Sequence, residues 1–264
     1  NNTASVNDNT IPTFTLVDLS SNNATSTLAK EGDIITINVT ASETITTPTI
    51  AMIIGGSAVS NSAVSGSGTT YTTTYTIGSS DSGSVTFTLD ASDTAGNNAT
   101  QVTATTNSSA VTVDTTVPTL TVVDLSSNNA TSTLAKENDV ITLNITASET
   151  INTPIVAVSI GGSPVSNSAV SGSGSTYTTT YTIGSSDNGS VTFTIDASDN
   201  AGNSANQVTA TTNGSAITVD TTVPTLTVVD LSSNNTTSTL AKENDVVTLN
   251  ITASETINTP IVAV

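Results

Sequence analysis

A shift of 106 residues lays this chain on itself. Residues 12–117 and 118–223 agree at 86 of 106 positions, and 224–264 repeat the opening of the same unit. Pro12, Pro118 and Pro224 fall in register, and the run Asp114-Thr115-Thr116-Val117-Pro118 returns from Asp220 to Pro224. Asp8 to Pro12 is a degraded form of that run. The period is too long for a solenoid repeat and matches one small domain. The expected organisation is the tail and linker of a preceding unit over 1–11, complete units over 12–117 and 118–223, and the N-terminal part of a third over 224–264. A complete unit is large enough to bury a modest core. The third needs completion by later residues or by a strand from another molecule, so the array is expected to continue beyond both ends.

Within a unit, β-branched Thr, Val and Ile dominate, and these fit a pleated surface. Ile35, Ile37 and Val39 alternate with Thr36, Asn38 and Thr40, and Val85, Phe87 and Leu89 alternate with threonines. Tyr71, Tyr75 and Ile77 share one face of a third run, which makes the tyrosines core residues rather than a sugar platform. Period-two patterning with one wet face predicts antiparallel sheet, and no window sustains a helical period. Ser, Asn, Gly and Asp clusters punctuate these runs. Seven strands are expected, at about 13–18, 34–40, 49–54, 58–64, 69–77, 84–90 and 101–113. That count in one unit predicts an all-β chain of tandem immunoglobulin-like seven-stranded β-sandwiches. Ile37/Leu143, Val39/Ile145 and Leu89/Ile195 exchange one apolar residue for another between copies, as core positions should.

Charge narrows the function classes. Twenty-one acids against three lysines and no arginine give a net charge of −18. Phosphate neutralisation needs clustered Lys and Arg, so nucleic acid and anionic membrane surfaces are poor partners. With neither His nor Cys, the common nucleophilic triads cannot form. An enzyme is therefore not expected. Lys30, Lys136 and Lys242, one per copy, are expected as solvated loop lysines rather than cross-link donors. Asn38, Asn144 and Asn250 are sequon asparagines on a polar strand face.

The closing motif Ala91-Ser92-Asp93-Thr94-Ala95-Gly96-Asn97, followed by Val113-Asp114-Thr115-Thr116-Val117-Pro118 into the next unit, resembles bacterial Ig-like tandem repeats. These build the extender regions of large secreted adhesins and related cell-surface proteins. The resemblance covers both complete copies. It implies an extracellular stalk or filament, rigidified by calcium at the junctions, whose partners are neighbouring repeats and other copies of the same protein. The alternative it leaves open is a subunit of a surface-layer lattice or strand-exchanged extracellular filament.

The acids sort by copy. In a sandwich, the loops carrying Glu149, Asp196 and Asp199 lie at the end where Asp114 arrives through a short linker. That predicts a junction cation site of Asp114, Glu149, Asp196 and Asp199. Its upstream equivalent is Asp8, Glu43, Asp90 and Asp93, and Asp220 and Glu255 would start a third. Glu31, Asp33 and Asp81 point towards the same junction as possible extra ligands. All-oxygen ligands suit Ca2+, whereas zinc and copper want His or Cys. The competing reading is acidic surface charge that keeps a Thr-rich protein soluble.

Overall fold

The computed structural model describes residues 7–263. Residues 1–6, most of the expected tail segment, and Val264 lie outside the described residues. In the first repeat the chain forms β1 (Phe14–Ser21), β2 (Leu28–Ala29), β3 (Ile34–Ala41), β4 (Thr49–Ile54), β5 (Ser57–Val59), β6 (Ser65–Ser67), β7 (Thr70–Thr76), β8 (Gly83–Asp90) and β9 (Thr112–Val113). One sheet runs β1-β3-β7-β6 and the other β2-β9-β8-β4-β5. Two antiparallel-built sheets of this order, with β1 and β2 serving opposite sheets, make an immunoglobulin-like sandwich. The β2–β9 pairing is parallel, as it must be when the first strand switches sheets to run beside the last.

The second repeat reproduces both sheets. It contains β10 (Leu120–Ser127), β11 (Leu134–Ala135), β12 (Val140–Ala147), β13 (Ile155–Ile160), β14 (Ser163–Val165), β15 (Ser171–Ser173), β16 (Thr176–Thr182), β17 (Gly189–Asp196) and β18 (Thr218–Val219), in the orders β10-β12-β16-β15 and β11-β18-β17-β13-β14. The chain is all-β, a tandem array of immunoglobulin-like sandwiches.

Alternation does what the sequence demands. In β3, Ile35, Ile37, Val39 and Ala41 are buried while Thr36, Asn38 and Thr40 face outwards. Val17, Leu19, Met52, Ile54, Phe87 and Leu89 meet the first three in one core, while Ala41 packs with Ile45 and Tyr71. Each fully buried aliphatic side chain is worth about 1.5–3 kcal/mol. Tyr71 is buried and its hydroxyl donates to Ile45 O at 2.8 Å. Tyr75 is half-buried, with its hydroxyl on Asp81 Oδ2 at 2.9 Å. Thr73, on the same face, is buried too. Its hydroxyl donates to Ser62 O at 2.7 Å and accepts from Asn61 Nδ2 at 2.9 Å, so the burial leaves no polar atom without a partner.

Three strands differ from expectation. The first continues to Ser21 and then reappears as β2 in the other sheet. The fourth, expected over 58–64, is two short strands: β5 pairs with β4, and β6 pairs with β7. Gly55 and Gly56, both at positive φ, form the tight turn that sends β5 back along β4. The last strand is cut down the most. Of 101–113, only Thr112–Val113 and a bridge between Val102 and Leu89 pair with β8 or β2. The Thr- and Ser-rich stretch between them meets β1 instead, largely through hydroxyls: the Val17 amide donates to Thr106 Oγ1 at 3.0 Å and the Leu19 amide to Ser109 Oγ at 2.8 Å, while the Thr106 amide donates to Val17 O at 3.0 Å. Side-chain hydroxyls near backbone donors compete with ladder formation, and here they cap the outer edge of β1.

In the third copy, β19 (Leu226–Ser233) and β20 (Val247–Ala253) pair in the same register, bulge included, as β1 with β3. Val229 and Leu231 are 60% and 67% exposed, where the equivalent Val123 and Leu125 are 0% and 5%. The hairpin forms from local pairing; burial of its apolar face needs the opposing sheet.

Candidate metal centre at the repeat junctions

The linker is tied down on both sides. Thr115 Oγ1 donates to Ser79 O and Asp81 O at 3.1 and 2.9 Å, anchoring it to the first repeat. Beyond Pro118, the Thr119 amide donates to Ser148 Oγ and the Ser148 amide to Thr119 O, anchoring it to the second. Proline also restricts Val117. Between these anchors the Asp114 carboxylate folds back, and Oδ1 accepts the Thr116 amide at 3.0 Å. Asp8 and Asp220 make the same turn with Thr10 and Thr222.

The loop after β17 meets this linker. Asp199 is buried; Oδ1 accepts the Asn203 amide at 2.8 Å and Oδ2 accepts Asn203 Nδ2 at 2.7 Å. Asn203 Nδ2 also donates to Asp114 O at 2.8 Å. Upstream, Asp93 Oδ1 accepts the amides of Ala95, Gly96 and Asn97, and Asn97 Nδ2 bridges Asp93 Oδ2 and Asp8 O. Burial opposes the Asp93 charge, but the Asn97 side chain and the three amides outweigh it and hold its carboxyl below the ordinary value of 3.8.

Oxygens of Asp114, Glu149 and Asp199 lie within 4.8 Å of one another, and so do those of Asp8, Glu43 and Asp93. Six of the ten expected ligands thus form two matching trios. Glu43 Oε1 and Glu149 Oε1 are buried atoms with no hydrogen-bond partner. Loss of solvent, then repulsion from Asp114 and Asp199, pushes the Glu149 carboxyl above the usual 4.5; Glu43 is pushed up likewise by burial and by Asp8 and Asp93. The Debye length at physiological salt is about 8 Å, longer than the spacing within a trio, so dissolved salt leaves much of this repulsion in place. A bound cation would remove it and would give the orphaned glutamate oxygen a partner.

The other expected ligands fall elsewhere. Asp90 and Asp196 lie outside the trios, where each accepts both bonds of a glutamine amide, from Gln101 and Gln207 at 2.9–3.1 Å. They close β8 and β17 against the following segment. Asp220 makes the same linker turn as Asp114, and Glu255 Oε1 is again buried and unpartnered; the position 106 residues beyond Asp199 lies past Val264. Glu31 is exposed in its turn. Asp33 is consumed by Asn23, the Lys30 amide and Lys30 Nζ, and Asp81 by Tyr75 and the Gly78 amide. Neither lies in a trio.

No family model matches the chain, and no curated protein matches it. Solved structures align over most of its length. The crystal structure of Rst D1-D2 covers 81% of this chain and 100% of its own, at 12% identity and a TM-score of 0.39. The fibronectin(III)-like modules of Clostridium thermocellum CbhA cover 78% and 93%, at 16% and 0.31. The mouse nectin-like molecule 4 ectodomain (Ig1-Ig3) covers 78% and 65%, at 14% and 0.31. At such scores these likenesses say nothing about activity or partners.

Sequence reasoning missed the asparagines. Asn97 and Asn203 orient the buried aspartate and grip the linker carbonyl at once. The signal was present as an Asn four residues after the Asp in both copies of the closing motif.

Proposed function

We propose that the chain is part of an extracellular structural array, the stalk of a cell-surface adhesin, whose successive sandwiches are locked by calcium at each junction. The observation that supports this best is the recurrence, 106 residues apart, of a three-carboxylate cluster containing a buried glutamate oxygen without a partner. Calcium takes six to eight oxygens at about 2.3–2.6 Å, so ligands on opposite sides of the ion stand about 5 Å apart, in keeping with the span of each trio. Asp114 Oδ1, Asp199 Oδ1 and Asp199 Oδ2 each already accept a hydrogen bond, which orients those two carboxylates before any ion arrives.

The mechanics follow from the placement of the ligands. Asp114 belongs to the linker, whereas Glu149 and Asp199 belong to the second sandwich. An ion shared among them ties the incoming chain to the domain it enters. Repeated along an array, this stiffens the whole without altering any one core, and stability becomes a sum of repeat and junction contributions.

Small-angle scattering of the full chain in calcium and then in excess chelator is the test, with terbium luminescence reporting occupancy. An extended particle that shortens on chelation supports the reading. An unchanged profile together with no terbium signal overturns the calcium lock and leaves the acids as surface charge.

A further inference from the structure

The turn after β1 holds an amide donor aimed at the next repeat. Asn23 Nδ2 donates to Asp33 Oδ2 at 2.6 Å and to Ala201 O, in the following sandwich, at 2.9 Å. Its Oδ1 accepts the Thr25 amide at 2.9 Å, so both ends of the side chain are fixed. Asp33 Oδ2 also accepts the Lys30 amide at 2.8 Å, and Lys30 Nζ lies 3.3 Å from Asp33 Oδ1. The Lys30 stem passes over Gly202, where an added Cβ would sit 3.6 Å from Lys30 Cε. Ala201 is 3% exposed, whereas Ala95 at the same place in the first repeat is exposed. The difference between two otherwise alike loops is what lies against them.

The donor is built before it meets its acceptor. Asn129 Nδ2 bonds Asp139 Oδ2 at 2.6 Å and Asn235 Nδ2 bonds Asp245 Oδ2 at 2.7 Å, and each accepts the amide two residues on, as Asn23 does. All three copies therefore present the same rigid turn. The acceptor is equally fixed: in both loops the aspartate amide bonds the carbonyl of the asparagine four residues on, and the glycine amide bonds the aspartate carbonyl.

We infer that this turn and the following repeat's 199–203 loop form a second joint between sandwiches, independent of any metal, whose contacts are Asn23 on Ala201 O and Lys30 over Gly202. A single attachment through the linker leaves the second sandwich free to swing about it. A second attachment through residues 178 positions apart narrows that swing without abolishing it, so a cation can still tighten the junction. One short loop serves both joints: Asp199 lies in the carboxylate trio, Asn203 holds the linker carbonyl, and Ala201 and Gly202 meet the preceding sandwich. The junction accordingly keeps a preferred angle when no cation is present.

The chain has no cysteine, so the full chain carrying Ser57→Cys and Ser163→Cys, both exposed, takes one spin label on each sandwich. Pulsed dipolar spectroscopy in excess chelator then reads the distance between them. Asn23→Ala should shift and broaden the distribution, and Ala201→Leu, a wedge at the contact, should do the same. Asn129→Ala loses the same bonds within its own turn and should leave the distribution unchanged, as should Ala95→Leu. A distribution for Asn23→Ala that coincides with that for Asn129→Ala overturns the inference. Because every measurement is made in chelator, the result is independent of the calcium reading, which the scattering and terbium experiments decide.

Discussion

The side-chain amide of Asn203 donates to the main-chain carbonyl of Asp114 at 2.8 Å, joining two sandwiches through residues 89 positions apart. The same nitrogen holds Asp199 Oδ2 at 2.7 Å, so one amide both orients a carboxylate of the trio and grips the linker that brings in another. Replacing Asn203 by Ala should weaken cation binding although no ligand is removed. It should also raise hydrogen exchange at residues 114–117, and unchanged exchange there would show that the bond does not restrain the linker.

Glu149→Gln keeps the shape of the site and removes one of its three charges. Cation affinity depends on ligand charge, so binding at this junction should fall roughly tenfold or more. In chelator the same variant should be no less stable than the parent, because the repulsion from Asp114 and Asp199 is gone. Titration calorimetry and thermal melts of both proteins check the two halves.

Acidification should act oppositely on two sets of carboxyls. Glu43 and Glu149 are raised above 4.5 in the folded chain. Their protonation favours the cation-free fold fully below the ordinary value, and that contribution disappears as pH rises through the raised one. Asp33, Asp93, Asp139 and Asp245 are held below 3.8 by their hydrogen bonds, so their contribution is present above 3.8 and is lost as pH falls through the lowered values. Cation binding needs the glutamates ionised. Affinity should therefore drop as pH falls through the raised range, with proton release on binding, measurable in buffers of different ionisation heat.

Leu89 is fully buried between the sheets of the first repeat. Leu89→Ala should cost about 2–5 kcal/mol. Since the second repeat closes its own core, melting should split into two transitions, one near its original temperature. A single transition lowered as a whole would mean that the sandwiches unfold as one unit.

Ser108 sits at φ 61, in the left-handed region, where the second repeat has Gly214 at φ 74. Non-glycine residues pay about 1 kcal/mol or more for that conformation. Ser108→Gly should stabilise the first repeat by about 0.5–1 kcal/mol, the unfolded-state entropy of glycine offsetting part of the gain. Chemical denaturation of the two proteins reads the difference.

Much of this was legible in the residues. The 106-residue register named the repeats, and alternation placed β3, β4, β7 and β8 within about a residue, because one wet and one buried face impose a period of two. The loops that share one end of a sandwich point to the acids of the two trios. Asp90 and Asp196 could not be told from Asp93 and Asp199 in this way. The two aspartates stand three residues apart at the end of one strand, and only the turn of the loop sends one to the linker and the other to a glutamine. The last strand was over-extended for a related reason: Thr105 and Thr106 suit a strand by propensity, yet the hydroxyls of Thr106 and Ser109 take the amides of β1 and that of Thr105 bonds Ser109 O within the same stretch.

The sequence by itself determined the fold class, the period and the face each apolar residue takes, since these depend on local pattern repeated many times. It also put four acids at each junction, Asp114, Glu149, Asp196 and Asp199 at the complete one, of which the fold brings three together. Only the tertiary structure decided which polar side chains are spent on partners and which are left over. Asp33, Asp81 and Asp90 look as available in the sequence as Asp114 and Glu149. Whether a carboxylate oxygen ends against an amide or in an unpartnered pocket depends on contacts between residues far apart in the chain. Asn23 met Ala201 for the same reason. A hydrogen bond across 178 residues leaves no periodicity to read, because it is made once, where two finished surfaces touch.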